Sequence, residues 1–227
     1  MCGIIAYSGG RNALPVLLAG LRRLEYRGYD SAGISLLGRG RLQTWRAAGK
    51  LSQLESKLPD KNTAKCGLGH TRWATHGAAT DENAHPHASA DGSIVIVHNG
   101  IIENAMSLRA MLESDGVTFV SDTDSEVIAH LVAATKADDL VESVRLALQQ
   151  IHGTYGLVVM STANPGELVA ARNGSPVIIG IGEREMFVTS DANAVLAHTR
   201  EVVHLEDGEL CTLNPRGFAI TTMDRAV

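Results

Sequence analysis

Aromatic residues are scarce in this chain: Phe, Trp and Tyr make up 4% of its 227 residues. A core must then be built from Val, Ile, Leu and Ala. Cysteine is also rare, with Cys2, Cys66 and Cys211 alone. So low and odd a count argues against a disulfide framework and for a reducing, cytoplasmic setting. Cys66 and Cys211 have apolar neighbours and read as small buried hydrophobes. No apolar run approaches the roughly 20 residues of a membrane span. The N-terminus lacks the charged stretch and apolar run of a secretory signal. With a net charge of −5 and no basic stripe, the chain has no electrostatic footprint for nucleic acid. No internal repeat, low-complexity tract or linker interrupts it. What remains is 44% apolar and 20% charged, the composition of a globular domain without a membrane or nucleic-acid partner. One domain over residues 1–227 is the economical reading.

What is present starts at the second residue. The chain opens Met1-Cys2-Gly3-Ile4-Ile5. If Met1 is removed, Cys2 carries a thiol and a free α-amine together. A thiol becomes nucleophilic when a base takes its proton, and an N-terminal amine can serve as that base. Model values of about 8.5 for the thiol and about 7.7–8.0 for the amine are nearly matched, so proton exchange between them near neutral pH is cheap. A Cys at position 2 taken alone is ordinarily inert.

The pattern along the chain mixes both periodicities. Residues 2–7 read as a buried strand. Residues 12–24 read as an amphipathic helix with Leu14, Leu17, Leu18 and Leu21 at helical spacing. Residues 32–37 and 41–47 form a plausible hairpin across Gly38-Arg39-Gly40. A short helix over 51–58 should stop at Pro59, and 64–70 is strand-like. Residues 71–92, dense in His, Thr, Asn and Gly, read as a long functional loop. Residues 93–98 give the clearest strand, apolar on consecutive positions and so covered on both faces. Helices are expected over 103–113, from a capping box at Thr123-Asp124-Ser125-Glu126 to about 135, and over 139–150. From Tyr155 onward the pattern is β: 156–161, 167–172, 176–181, 186–190, 202–206, 209–214 and 217–222. The result is sheets with helices packed outside them, an α+β class.

Four polar, glycine-bearing segments lie beside strong strands: residues 26–33 (Tyr-Arg-Gly-Tyr-Asp-Ser-Ala-Gly), 70–77 (His-Thr-Arg-Trp-Ala-Thr-His-Gly), 98–100 (His-Asn-Gly) and 123–124 (Thr-Asp). Each has an ordinary explanation. Asn-Gly after a strand is a hairpin signal, although the helical pattern that follows makes a tight hairpin less natural. Asp124 at a helix start is a capping or dipole carboxylate. Arg27 and Arg72 would be surface cations, and Trp73 could cover a core edge.

As an ordered set they resemble class II glutamine amidotransferases. Within these the chain looks most similar to the glutaminase domains of the glucosamine-6-phosphate synthases (glutamine–fructose-6-phosphate aminotransferases). The resemblance runs over essentially the whole chain, through residues 21–33, 83–87, 99–104, 153–156 and 172–176. Amidophosphoribosyltransferases share the outline, but Tyr29 and Trp73 favour the sugar-phosphate branch.

The resemblance implies an N-terminal nucleophile hydrolase fold, a four-layer αββα sandwich with two antiparallel sheets. It implies hydrolysis of L-glutamine to glutamate and ammonia through a γ-glutamyl thioester on Cys2. Asn99 and Gly100 would hold the oxyanion. Arg72 and Asp124 would clamp the substrate's carboxylate and ammonium. Thr75, His76 and Gly77 would lie in the segment that closes over glutamine, Trp73 would gate the ammonia path, and Arg27 would be structural near the nucleophile. It implies no cofactor. The ammonia would pass to a sugar-phosphate isomerase domain, in cis or in trans, that makes glucosamine 6-phosphate from fructose 6-phosphate and is absent from these residues. The full-length enzyme would be a homodimer. If Met1 is retained, the alternative is a module that binds glutamine without hydrolysing it. The crowded His70, His76, His85, His87 and His98 suggest a metal, but no recognised ligand spacing accompanies them. The resemblance makes them loop-ordering hydrogen-bonders instead.

Overall fold

The computed structural model describes residues 2–73, 77–135 and 137–224. The chain starts with strand β1 (Gly3–Gly9), helix α1 (Ala13–Leu24), strands β2 (Ser31–Gly38) and β3 (Arg41–Ala48), helix α2 (Leu51–Glu55) and strand β4 (Cys66–Arg72). Strands β5 (His87–Ala88) and β6 (Ile94–Ile102) follow, then helices α3 (Ala105–Ser114), α4 (Glu126–Ala134) and α5 (Leu140–Leu148). Strands β7 (Gly153–Ser161), β8 (Leu168–Asn173), β9 (Ile178–Gly182), β10 (Glu185–Thr189), β11 (Val202–His204), β12 (Glu209–Asn214) and β13 (Gly217–Thr222) complete it.

Two antiparallel sheets result. One has seven strands in the order β11-β9-β10-β1-β4-β2-β3, the other six in the order β13-β12-β8-β7-β6-β5. Strand alternation divides their side chains between three cores. In β1, Ile4 and Ala6 point between the sheets, while Ile5 and Tyr7 pack with Leu17 and Leu21 of α1. In β6, Val95 and Val97 join the inter-sheet core; Ile94 and Ile96 pack under α4 and α5 with Val127, Ile128 and Val144. Each sheet is thus covered on both faces, in the layer order helix, sheet, sheet, helix. Cys66 and Cys211 are buried between the sheets. Burial pushes both thiols up to about 12, far from the reactive range. Among the described residues no helix is long and apolar enough to cross a membrane.

Local chemistry accounts for several boundaries. Asn12 caps α1 by accepting the Leu14 N–H at 3.2 Å, and Asp139 caps α5 by accepting the Glu142 N–H at 2.8 Å, as Asn and Asp do. The β2–β3 hairpin turns on two residues, Arg39 and Gly40, with φ of 53° and 73°. Two left-handed residues match the strand twist of a tight hairpin.

Three expectations need correction. The second helix ends at Glu55, before Leu58. The 71–92 loop is shorter and more buried than its polarity implies: β4 claims Thr71 and Arg72, and Asn83 and His85 are buried. The capping box at 123–126 does not form. The Glu126 carboxylate instead accepts the N–H groups of Val120 and Ser121, which tie down the preceding loop.

Candidate active site

The ends of β1, β4 and β6 meet at one edge of the sandwich. Cys2 precedes β1, whose Gly3 pairs with Thr71 of β4. Arg72 ends β4, and Asn99 and Gly100 lie late in β6 of the other sheet. A pocket of about 260 Å³ opens there, lined among others by Cys2, Arg27, Arg72, Trp73, Asn99, Gly100 and Asp124. Seven of the ten residues singled out in the sequence thus share one cavity. Gly77 does not line it, but its carbonyl accepts from Arg72. Thr75 and His76 lie outside the described residues.

The Cys2 sulfur accepts the Trp73 N–H at 3.2 Å and lies 3.6 Å from the Trp73 carbonyl. Burial raises the thiol's pKa; the Trp73 N–H, Arg72 and Arg27 draw it back. The Cys2 carbonyl accepts the Asn99 Nδ2–H at 3.2 Å and the Arg27 Nε–H at 3.1 Å. Arg27 also pairs with Asp191 at 3.1 Å. Trp73 is 44% exposed and stands edge-on to Tyr29, with ring centroids 5.3 Å apart, at the pocket mouth.

Asn99-Gly100 is no hairpin turn. Strand β6 runs on through it, pairing Asn99 with Gly156, Gly100 with Tyr155 and Ile101 with Thr154. Gly100 has φ of 142°, a region essentially closed to other residues. A Cβ at that position would collide with the Thr154 carbonyl.

Opposite charges flank the cavity. The Arg72 side chain, 4% exposed, donates to the carbonyls of Ala78 at 3.1 Å and Gly77 at 3.2 Å. Burial lowers its pKa; Cys2, Asp30 and Asp124 favour its charge. Asp124 accepts the Ile102 N–H at 2.8 Å and the Ser125 hydroxyl at 3.3 Å. The carboxylate therefore faces β6 and does not cap α4.

The histidines do more than order a loop. His70 and His98 belong to strands β4 and β6. His70 Nε2 lies 3.0 Å from Asn99 Oδ1 and 3.2 Å from the His98 carbonyl. His98 contacts the Ser125 hydroxyl at 2.7 Å through Nδ1 and the Thr154 carbonyl at 3.2 Å through Nε2. The His70 and His85 rings stack at 4.2 Å, and His87 stands edge-on to His85 at 4.5 Å. Among the described residues no group of three His, Cys, Asp or Glu side chains is arranged to hold a metal.

Asp191 has no motif to mark it. Asp191 follows the strand pattern ending at Ser190, and it binds both Arg27 and the Tyr26 hydroxyl. Ser190 and Thr189 anchor β1 by bonding the Ile4 N–H and carbonyl, each at 2.9 Å.

Residues 70–197 match the family model described as a glutamine amidotransferase domain. The chain is 49% identical over 224 residues to the glutamine–fructose-6-phosphate aminotransferase of Symbiobacterium thermophilum, covering 98% of this chain and 37% of that protein. It is 47% identical over 216 residues to the same enzyme of Aquifex aeolicus, covering 95% of this chain and 36% of the relative. The chain thus spans little more than a third of the length of these relatives. The fold superposes on glutamine phosphoribosylpyrophosphate amidotransferase from Bacillus subtilis with a TM-score of 0.84 and 27% identity, covering 98% of this chain and 49% of the other. A glutamine aminotransferase class-II domain protein from Silicibacter pomeroyi shares the fold at TM-score 0.67 and 17% identity, covering 98% of this chain and 99% of the other. The four layers are those of the N-terminal nucleophile hydrolases expected from the sequence.

Proposed function

This chain belongs to the glutamine amidotransferase family, and from that premise we propose that its 227 residues form one glutaminase domain working through Cys2. The observation that carries this reading is the convergence of the Cys2 thiol, the Asn99 amide and the opposite charges of Arg72 and Asp124 on one pocket. Free glutamine presents a carboxylate, an ammonium and an amide. A fixed cation, a fixed anion and a nucleophile are the complementary set.

The steps follow from these groups. With Met1 removed, the α-amine of Cys2 takes the thiol proton. The sulfur attacks the side-chain amide carbon of glutamine, and the carbonyl oxygen gains negative charge. The Asn99 Nδ2–H and the Gly100 N–H are the donors that would hold this oxyanion; one such donor is typically worth about 2.7–4 kcal/mol of barrier. The tetrahedral centre collapses with proton return to nitrogen, releases ammonia and leaves a γ-glutamyl thioester on Cys2. Water attacks the thioester, giving glutamate and the free thiol. Arg72 takes the substrate carboxylate, for which a guanidinium fork is suited, and Asp124 takes its ammonium. Gly77, whose carbonyl accepts from Arg72, would belong to the segment over the substrate, and Trp73 would screen the ammonia path. Arg27, bonded to the Cys2 carbonyl and to Asp191, fixes the nucleophile's backbone.

The destination of the ammonia follows the relatives. At 49% and 47% identity to aminotransferases named for fructose 6-phosphate, against 27% to the phosphoribosylpyrophosphate enzyme, the sugar-phosphate branch is favoured. The acceptor would be a sugar-phosphate isomerase domain, in cis or in trans, making glucosamine 6-phosphate within a homodimer. A cytoplasmic setting suits the three unpaired thiols. Glutamine turnover with 6-diazo-5-oxo-norleucine, followed by peptide mapping, tests the site: the label should fall on Cys2, and Cys2→Ala should abolish glutamate release. Label on Cys66 or Cys211, or turnover that survives Cys2→Ala, would refute the assignment.

A further inference from the structure

His70 lies outside the residues just given a role, yet it touches one of them. Its ring is fully buried, and one nitrogen, Nε2, faces both the His98 carbonyl and Asn99 Oδ1. A backbone carbonyl can only accept, so Nε2 must carry the proton. Burial holds the ring's pKa down to about 3, which keeps it neutral at working pH. The stacked His85 ring at 4.2 Å fixes its plane.

A protonated Nε2 decides how the Asn99 amide is turned. The oxygen end must face the imidazole N–H, since the opposite orientation would set N–H against N–H. The NH₂ end then points to the Cys2 carbonyl at 3.2 Å, in the pocket that Cys2 and Asn99 both line. We propose that His70 is a positioning residue: its Nε2–H locks the Asn99 side chain in the orientation that presents an amide donor to the oxyanion formed at Cys2. The inference rests on the glutaminase reading above and adds to it the device that sets the oxyanion donor.

The experiment uses the full chain with Met1 removed and compares His70→Phe, His70→Gln, His70→Asn, Asn99→Ala and the His70→Phe/Asn99→Ala pair. Thermal midpoints accompany kcat and KM for glutamine. Asn99→Ala and His70→Phe should each lower kcat by about 10²–10³, the loss typical of one oxyanion donor, with KM within about threefold. His70→Gln, which keeps a donor at similar reach, should recover kcat to within about tenfold of the parent. His70→Asn, too short to reach Asn99, should stay impaired, so the Gln and Asn variants decide the matter if Phe is not tolerated. The double variant should be no slower than Asn99→Ala, because the two residues act as a unit. Multiplied losses in the double variant, or full kcat in a folded His70→Phe or His70→Asn, would overturn the proposal. So would failure of all three His70 variants to fold while Asn99→Ala folds. A parent chain that hydrolyses no glutamine would instead refute the glutaminase reading.

Discussion

The residues around Cys2 serve two purposes at once, and Asp124 shows this most directly. Its carboxylate binds the Ile102 N–H of β6 and supplies the pocket's negative charge opposite Arg72. Asp124→Asn keeps an oxygen for the backbone bond and removes the charge. A hydrogen bond to a charged group is worth about 1.5–3 kcal/mol, so kcat/KM for glutamine should fall by about 10- to 100-fold, chiefly through KM. Steady-state kinetics with glutamine check this; an unchanged KM would remove Asp124 from the ammonium site. Arg72, Asp124, Asn99 and Cys2 were visible in the sequence through the segments they sit in. Asp191 was not, because one carboxylate after an apolar strand carries no pattern. It becomes meaningful only when Arg27, 164 positions away, is found beside it.

At the scale of elements, strand periodicity was legible, and pairing partners decided the rest. The β2–β3 hairpin is a case of local sequence specifying structure. Arg39 nevertheless pays a steric penalty at φ of 53°, since a Cβ crowds the backbone in the left-handed region. Asn tolerates that region better, so Arg39→Asn should stabilise the fold by about 0.5–1 kcal/mol, read as a raised denaturant midpoint with an unchanged slope. The opposite case is Asn99-Gly100. Its dipeptide signals a turn, yet strand β7 supplies a continuous ladder from Ile94 to Ile102. The glycine is spent on a distortion inside the strand, not on a reversal. The capping-box pattern at 123–126 failed for a local reason. The loop just before the helix offered Glu126 the N–H groups of Val120 and Ser121, leaving nothing for the helix start.

At the scale of the whole molecule, the unusual feature is the quantity of neutral imidazole inside it. Burial holds His70 and His87 at about 3 and His85 well below the ordinary value. In the unfolded chain these rings take up protons near pH 6.5. Between that pH and about 3 the unfolded state binds more protons, so stability rises with pH through the window and falls on acidification. Each ring contributes up to about 1.4 kcal/mol per pH unit there. Glu126 adds to the fall at lower pH. Despite its burial, bonds from His130, Ser121 and Val120 bring its carboxyl to about 2, so its contribution is lost as pH drops from the ordinary carboxylate range through that value. Urea midpoints at pH 7, 6, 5 and 4 should therefore decline steeply below 6.5. A midpoint constant over that range would show that the rings are not held neutral.

The sequence by itself determined the class of secondary structure, the two-face burial of residues 93–98, the family and the charged and nucleophilic part of the pocket's lining. Those follow from periodicity and from motifs that a single segment carries. Only the tertiary structure decided what touches what. Cys2 and Asn99 are 97 positions apart and meet because two sheets stack with the ends of β1 and β6 at the same edge. The tautomer of His70, the orientation of the Asn99 amide and the pairing of Arg27 with Asp191 are properties of contacts between distant strands. Hydrogen-bond donors and acceptors choose their partners in three dimensions, and no local pattern records that choice.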